Sequence, residues 1–288
     1  MSSLKYVFAL SIVFAAAHPV AAQSEAPPPP PAAASATQGS QPDPDLQIVV
    51  EEPDFALAAL PTTLRMPARK FAFRLTHRFS RPIAEGDVGD FFADFFGFDS
   101  SAQIGLELRY GIRPGTQATV HRTNERTIQF LGQHALLRQS EDRRLTVDAL
   151  GAIEGADNFS EDFSGSIGAV LSHRFADRGA IYAQPIVVFN SNFETSPADE
   201  DEYTMFIGVG ARWRIHGRVY LFAELAPRVA GFDDGGDQMS FGIEKRAGGH
   251  VFQFNVSNGL GTTLRQVARG GPGYDDWFVG FNLSRRFF

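Results

Sequence analysis

From Lys70 to its last residue the chain alternates bulky apolar residues with small or polar ones, and that period of two constrains its fold more than any other feature. "KFAFRLTHRFS" (70–80) sets Phe71, Phe73, Leu75 and Phe79 on one face and Lys70, Arg74, Thr76 and Arg78 on the other. "SAQIGLELRYGI" (101–112) alternates without a break, from Ala102 to Ile112 on one side and from Ser101 to Gly111 on the other. Successive side chains of a strand point to opposite faces, so this pattern predicts strands that meet two different environments. It recurs at 116–123, 126–138, 143–154, 163–175, 179–190, 202–215, 218–229, 238–246, 249–257 and 276–287, which makes twelve segments. Most are close to the length that a tilted membrane strand needs.

Three observations favour a closed membrane barrel over a soluble sandwich. Connections after even-numbered segments are short, such as "RPG" (113–115), "ADR" (176–178) and "HG" (216–217), while those after odd segments are mostly long. Short periplasmic turns and longer outer loops are the arrangement of outer-membrane barrels. Aromatics gather at both ends of the apolar face. Phe71, Tyr110, Phe175, Trp213 and Phe287 belong to one end, and Phe79, Phe163, Phe189, Tyr203 and Trp277 to the other. Such rings form belts at headgroup height, and Tyr110, Tyr203, Trp213, Trp277 and Phe287 are the expected girdle. An even strand count lets the sheet close, leaving no unpaired backbone edge in lipid. Closure also accounts for the ending "DWFVGFNLSRRFF": Trp277, Val279, Phe281, Leu283 and Phe287 share the lipid face, and lipid buries what water would expose.

The segments before the barrel read differently. Lys5, the apolar run at 6–17 and the small residues "VAA" (20–22) predict a cleaved signal peptide over 1–22. Residues 23–68 are expected to be a disordered periplasmic tail, since "EAPPPPPAAASATQGSQPDPD" (25–45) is rich in Pro and Ala and poor in groups that build a core. "LQIVVEEPDF" (46–55) resembles the energy-coupling box of plugged outer-membrane receptors. The chain is too short for the plug domain and large barrel of such receptors. The barrel is expected over 69–288. The 27 Phe and 28 Gly suit strands and tight turns. With 26 Lys+Arg against 33 Asp+Glu the chain has no basic surplus for nucleic acid, and without Cys it has neither disulfide nor thiolate chemistry.

"RLTHRFS" (74–80), "DFFGFDSSAQIGLELRYGI" (94–112), "RTIQF" (126–130), "GGHVFQFNVSN" (248–258) and "DWFVGFNLSRRF" (276–287) together resemble an uncharacterised outer-membrane β-barrel family, catalogued as a domain of unknown function. The resemblance implies fold and location, and it implies no activity.

Function must then lie on the inward face and in the loops. Arg74, Arg78, Arg109, Arg174, Arg212, Arg214, Arg228 and Arg246 point inward by phase, against Glu107, Asp148, Glu154, Glu224 and Glu244. Rings of Arg favour anions in a pore. Arg78, Glu107, Arg109, Arg174, Arg212, Glu224 and Arg246 are the candidate pore lining, with inward Gly105, Gly168, Gly208, Gly210 and Gly242 leaving space. Phe91, Phe92, Phe95 and Phe96 of the loop "VGDFFADFFGFDSS" (88–101) are the candidate constriction. The leading expectation is porin-like passage of small, anionic solutes. The alternative is a closed barrel, its lumen filled by paired charges, serving as a structural or surface-interaction module. An enzyme is not expected. "NVSNG" (255–259) carries the Ser-Asn-Gly of outer-membrane phospholipases, but Asn255 stands where their His would be, so Ser257 lacks a general base. The histidines are scattered, and no catalytic residue, metal or cofactor is expected. Expected partners are outer-membrane lipid and lipopolysaccharide, the barrel-assembly machinery through the C-terminal strand, and a periplasmic protein bound by the Pro-rich tail.

Overall fold

The computed structural model describes residues 43–85, 101–175, 178–192 and 203–288. One antiparallel sheet runs through β1 (Phe71–Pro82), β2 (Ala102–Arg113), β3 (Thr116–Thr123), β4 (Ile128–Leu137), β5 (Thr146–Ala156), β6 (Glu161–Phe175), β7 (Gly179–Phe189), β8 (Tyr203–His216), β9 (Val219–Ala226), β10 (Arg228–Gly231), β11 (Gln238–Ala247), β12 (His250–Ser257) and β13 (Phe278–Arg286). β9 and β10 are halves of one stave. Pro227 separates them because it has no N–H to give the ladder, and the register on β8 slips just beyond it, between Arg228 and Ala230. The barrel therefore has twelve staves. It closes where β1 pairs with β13, Arg74 standing opposite Ser284 and Thr76 opposite Asn282.

Exposure follows the alternation. Leu106, Leu108, Tyr110 and Ile112 are exposed on β2, while Gln103, Glu107 and Arg109 between them are buried. The same outward row continues through Val120, Phe130, Ile153, Ile167, Ile181, Ile207, Leu221, Ile243 and Phe254. A continuous apolar belt of this extent is unfavourable in water and favourable in lipid. Among the described residues no helix is long and apolar enough to cross a membrane, so the crossing falls to strands. Among the described residues, turns at the end that carries the start of β1 and the chain's last residues span 114–115, 138–145, 217–218 and 248–249. The two-residue turns at 217–218 and 248–249 open on Gly217 (φ 54°) and Gly248 (φ 59°), a conformation that a side chain resists. The turn at 138–145 is longer than the sequence suggests. Its charged run "EDRR" stays outside the ladder, pinned by the Ser140–Arg143 bridge.

Residues 43–68, expected to belong to a disordered tail, instead enter the barrel and pack inside it. Glu52, Asp54, Phe55, Ala56, Leu57, Ala58, Leu60, Thr62, Thr63, Leu64, Arg65 and Met66 are all buried. The low-complexity character ends near Asp45, and the apolar residues that follow find their burial against the lumen wall rather than in a domain of their own.

Candidate functional site

The candidate functional site is the lumen, and the segment 43–70 is best described as a strap laid through it. A short 3-10 turn, Pro44–Leu46, opens the strap, with Asp43 accepting from the amide of Ala68 at 2.7 Å and Asp45 from that of Gly115 at 2.8 Å. The strap rises past Tyr220, whose hydroxyl donates to Val50 O at 2.8 Å. It doubles back at Ala56–Pro61, where Leu57 N bonds Leu60 O at 2.8 Å and Thr62 N bonds Phe55 O at 2.9 Å. At the tip the amides of Ala58, Ala59 and Leu60 converge on the Glu224 carboxylate of β9 at 3.0–3.1 Å. Successive N–H groups of this kind form a ready anion cradle, here filled by the wall itself.

Wall side chains satisfy the strap's remaining backbone. Arg74 donates to Leu57 O (2.7 Å) and Ala58 O (2.9 Å), Arg212 to Ala56 O (2.8 Å), Gln133 to Thr62 O (2.8 Å) and Gln184 to Pro61 O (3.1 Å). Thr63 and Ser172 share a hydrogen bond of 2.5 Å. Arg65 pairs with Asp148. Two of the five inward glycines face the strap: a Cβ on Gly210 would stand 2.2 Å from Leu57 Cδ1, and one on Gly208 2.9 Å from Leu60 Cδ1, whereas a Cβ on Gly168 or Gly242 would meet the backbone of the neighbouring strand and one on Gly105 would meet His121 and Thr76.

The opposite end is filled by the connection between β12 and β13. It carries a short helix, α1 (Leu264–Arg269), started by a capping box in which Thr263 accepts from Gln266 N and the Gln266 side chain reaches back. Leu264, Val267 and Ala268 join Leu60 of the strap and the inward Leu131, Leu150, Val170, Ile186, Val188 and Phe206 in one apolar cluster. Arg265 bonds Glu154 at 2.9 Å. Where α1 covers it, the lumen thus has an apolar side on β4 to β9 and a polar side on β12, β13, β1, β2 and β3; around the strap, β4 to β9 are polar too, through Gln133, Asp148, Ser172, Gln184, Arg212 and Glu224.

The structure places each residue singled out from sequence as follows. Arg78 is fully buried and donates to Leu260 O and Gly261 O. Glu107 and Arg109 pair at 2.8 Å, with the Arg109 guanidinium 5.0 Å over the Phe55 ring. Arg212 pairs with Glu244, and Glu224 holds the strap tip. Arg174 lines a cavity of about 190 Å³ with Glu52 and Arg138. Arg246 lines one of about 720 Å³ at the mouth beside the strap's entry, with Arg214, Arg218 and Arg286. Glu52 accepts from Thr63 at 2.9 Å, and burial raises its carboxyl above the ordinary value against the opposing field of Arg174. Phe91, Phe92, Phe95 and Phe96 lie outside the described residues.

Of the aromatics, Tyr110, Trp213 and Phe287 are exposed at one end and Tyr203 at the other, while Trp277 is half-buried against Phe241. Phe79, counted with the outer belt from sequence, is instead buried beside His77 and Phe281. Ser257 bonds Ser240, Met239 O and the amide of Gly259, none of them a histidine. Among the described residues no three His, Asp or Glu converge as a metal site.

The strap is the element that sequence reasoning missed. Its available signal was the apolar run "FALAALPTTLRM" after the low-complexity stretch. The inward fold at 258–277 was missed too, although "TLRQVA" carries the Thr-x-x-Gln capping box followed by apolar residues at helical spacing.

A family described as "Membrane bound beta barrel domain (DUF5777)" matches residues 54–287, a span that begins within the strap. Among curated proteins none matches the chain. Solved structures similar to it include the NanC porin, at 8% identity and a TM-score of 0.49 over 75% of this chain and 97% of that one. An outer membrane channel from Pseudomonas putida F1 follows at 12% and 0.47, over 77% and 97%, and outer membrane phospholipase A from Escherichia coli at 11% and 0.43, over 76% and 90%. At these values the likenesses add nothing to the fold already traced strand by strand.

Proposed function

The chain belongs to the family of membrane-bound β-barrel domains, and on that premise we propose that it serves in the outer membrane as a porin-like channel for small anionic solutes, closed at rest by its own strap. The observation that carries this reading is the match between the charge of the strap and that of the wall. From 43 to 70 the strap has Asp43, Asp45, Glu51, Glu52 and Asp54 against Arg65, Arg69 and Lys70, the last two at its junction with β1. The inward wall has Arg74, Arg78, Arg109, Arg174, Arg212, Arg214 and Arg246 against Glu107, Asp148, Glu154, Glu224 and Glu244. Withdrawal of the strap leaves a polar surface with surplus positive charge, which draws anions and repels cations. The helix α1 stays on the apolar side as a fixed constriction, and passage follows the polar side. With the strap's entry on the periplasmic side, a periplasmic partner would take hold of the Pro-rich stretch that precedes it in sequence.

A second reading, a permanently closed structural barrel, is favoured by one observation: α1 seals the apolar side with the packing of a core. Recording in a planar bilayer under a salt gradient separates the two. We expect the Glu224→Gln protein, its strap tip loosened, to open more often than the unaltered chain and with a reversal potential on the anion side. A folded Glu224→Gln barrel that stays silent contradicts the channel reading, and openings without anion preference remove its charge argument.

A further inference from the structure

Arg78 is a charge that the strap does not explain. Its side chain is fully buried, and Nη1 donates to Leu260 O at 3.2 Å and to Gly261 O. Among the described residues its Nε and Nη2 have no partner. Those two N–H groups lie along one edge of the guanidinium and form the fork that grips a carboxylate through two parallel hydrogen bonds. A buried cation without a counter-charge is one of the costliest groups a fold can hold. Glu224, whose field reaches Arg78, already gives its oxygens to the strap amides.

The neighbours of Arg78 show the same deficit. Register sets Asn255, Gly280, Arg78 and Gln103 in one row across β12, β13, β1 and β2. Gln103 Nε2 and both amide atoms of Asn255 are buried without partners. Gly280 keeps the row close, since a Cβ there would stand 2.8 Å from Asn255 Oδ1 and 3.0 Å from Arg78 Cγ. Thr76 Oγ1 in the next row and His121 Nε2 in the row beyond it are also buried and unpartnered among the described residues, both crowding the same glycine, Gly105. Buried polar groups are normally bonded, so orphans gathered in one place mark a missing occupant. Water would satisfy the amides and hydroxyl but would leave the charge of Arg78 unmatched. A cavity of about 380 Å³ at the end away from the strap's entry touches Gln103 at one end of the row, Leu260 and Gly261 of its roof, and Arg269 of α1; Arg78 lies behind Gln103, bonded to the same roof. The acid lining that cavity, Glu125, accepts from Gln266.

We infer that Arg78, Gln103, Asn255 and Thr76 form a binding site for a small hydrophilic monocarboxylate, roofed by the connection that carries α1. One unmatched positive charge calls for one negative charge, which selects a carboxylate over a phosphate dianion. The two unpartnered amides serve the remaining oxygen lone pairs and a hydroxyl beside the carboxylate. Binding here needs no passage through the barrel, so it stands or falls separately from the channel.

The test is titration calorimetry on the refolded full chain in zwitterionic detergent at low ionic strength, with lactate, inorganic phosphate and glycerol as probes. Saturable lactate binding, weaker phosphate binding and no glycerol binding are expected. Arg78→Lys keeps the charge but lacks the fork, and is expected to weaken lactate at least tenfold. Gln103→Leu, a milder change that guards against misfolding of the first variant, is expected to weaken it severalfold. Arg143→Gln, in the exposed turn at the other mouth, is expected to leave it unchanged. Absence of saturable lactate binding to the folded protein, or equal affinity in folded Arg78→Lys, overturns the site. Phosphate binding tighter than lactate overturns the choice of a monocarboxylate.

Discussion

At the scale of single residues, strap closure turns on Glu224 and Glu52. Glu224 accepts amides from Ala58, Ala59 and Leu60, and hydrogen bonds to a charged acceptor contribute roughly 1.5–3 kcal/mol each. Glu224→Gln removes that charge and turns an NH2 toward amide donors. Arg65 is a convenient reporter, buried while the strap is seated and open to trypsin once it leaves. We expect Glu224→Gln to speed cleavage after Arg65 by at least tenfold, and unchanged cleavage would show that the tip does not hold the strap. Glu52 adds a pH dependence. Burial raises its carboxyl when the strap is seated, above its value in a released strap. Seating therefore takes up a proton. It is strongest below the released value, about 4.3, and weakens as pH climbs through the raised one. Cleavage after Arg65 should accordingly accelerate with rising pH through this window, after correction for trypsin's own profile, and lose that dependence in Glu52→Gln. Gly210 could be read as inward and small from sequence, but its purpose could not. The hollow it leaves is defined by Leu57, a residue far away in the chain.

At the scale of elements, the strands were legible and the inner parts were not, for a physical reason. A strand between lipid and lumen prints its surroundings on every second residue, so "SAQIGLELRYGI" announces β2 with no knowledge of its neighbours. The strap has no period because no regular ladder holds it. Its bonds run to side chains on strands from β1 to β13, 16 to 233 residues away. The short α1 did leave a local mark in its capping box. Thr263→Ala removes the oxygen that accepts from Gln266 N, and such a loss costs about 1 kcal/mol. Because α1 joins the apolar cluster of β4 to β9, we expect the variant to unfold at a lower temperature by circular dichroism while the strap remains seated. An unchanged transition would mean that α1 is held by packing alone.

At the scale of the whole molecule, a twelve-stave barrel is wide enough to need filling, and the chain fills it from both ends with its own segments. The strap shares the apolar cluster under α1 through Leu60; most of its other apolar residues pack in two smaller clusters, and its backbone is tied to the wall by hydrogen bonds that water would also satisfy. On the channel reading, the strap is therefore the part that leaves and α1 the part that stays. The chain has no cysteine, so a single engineered pair is a clean lock. Thr63 and Ser172 face each other with side-chain oxygens 2.5 Å apart, one on the strap and one on β6. The most direct measurement is bilayer conductance of the Thr63→Cys/Ser172→Cys protein, oxidised and then reduced on the same membrane. If the strap gates the barrel, the oxidised protein is silent and reduction brings openings with anion preference. Openings of equal size and frequency before and after reduction would contradict a gating strap.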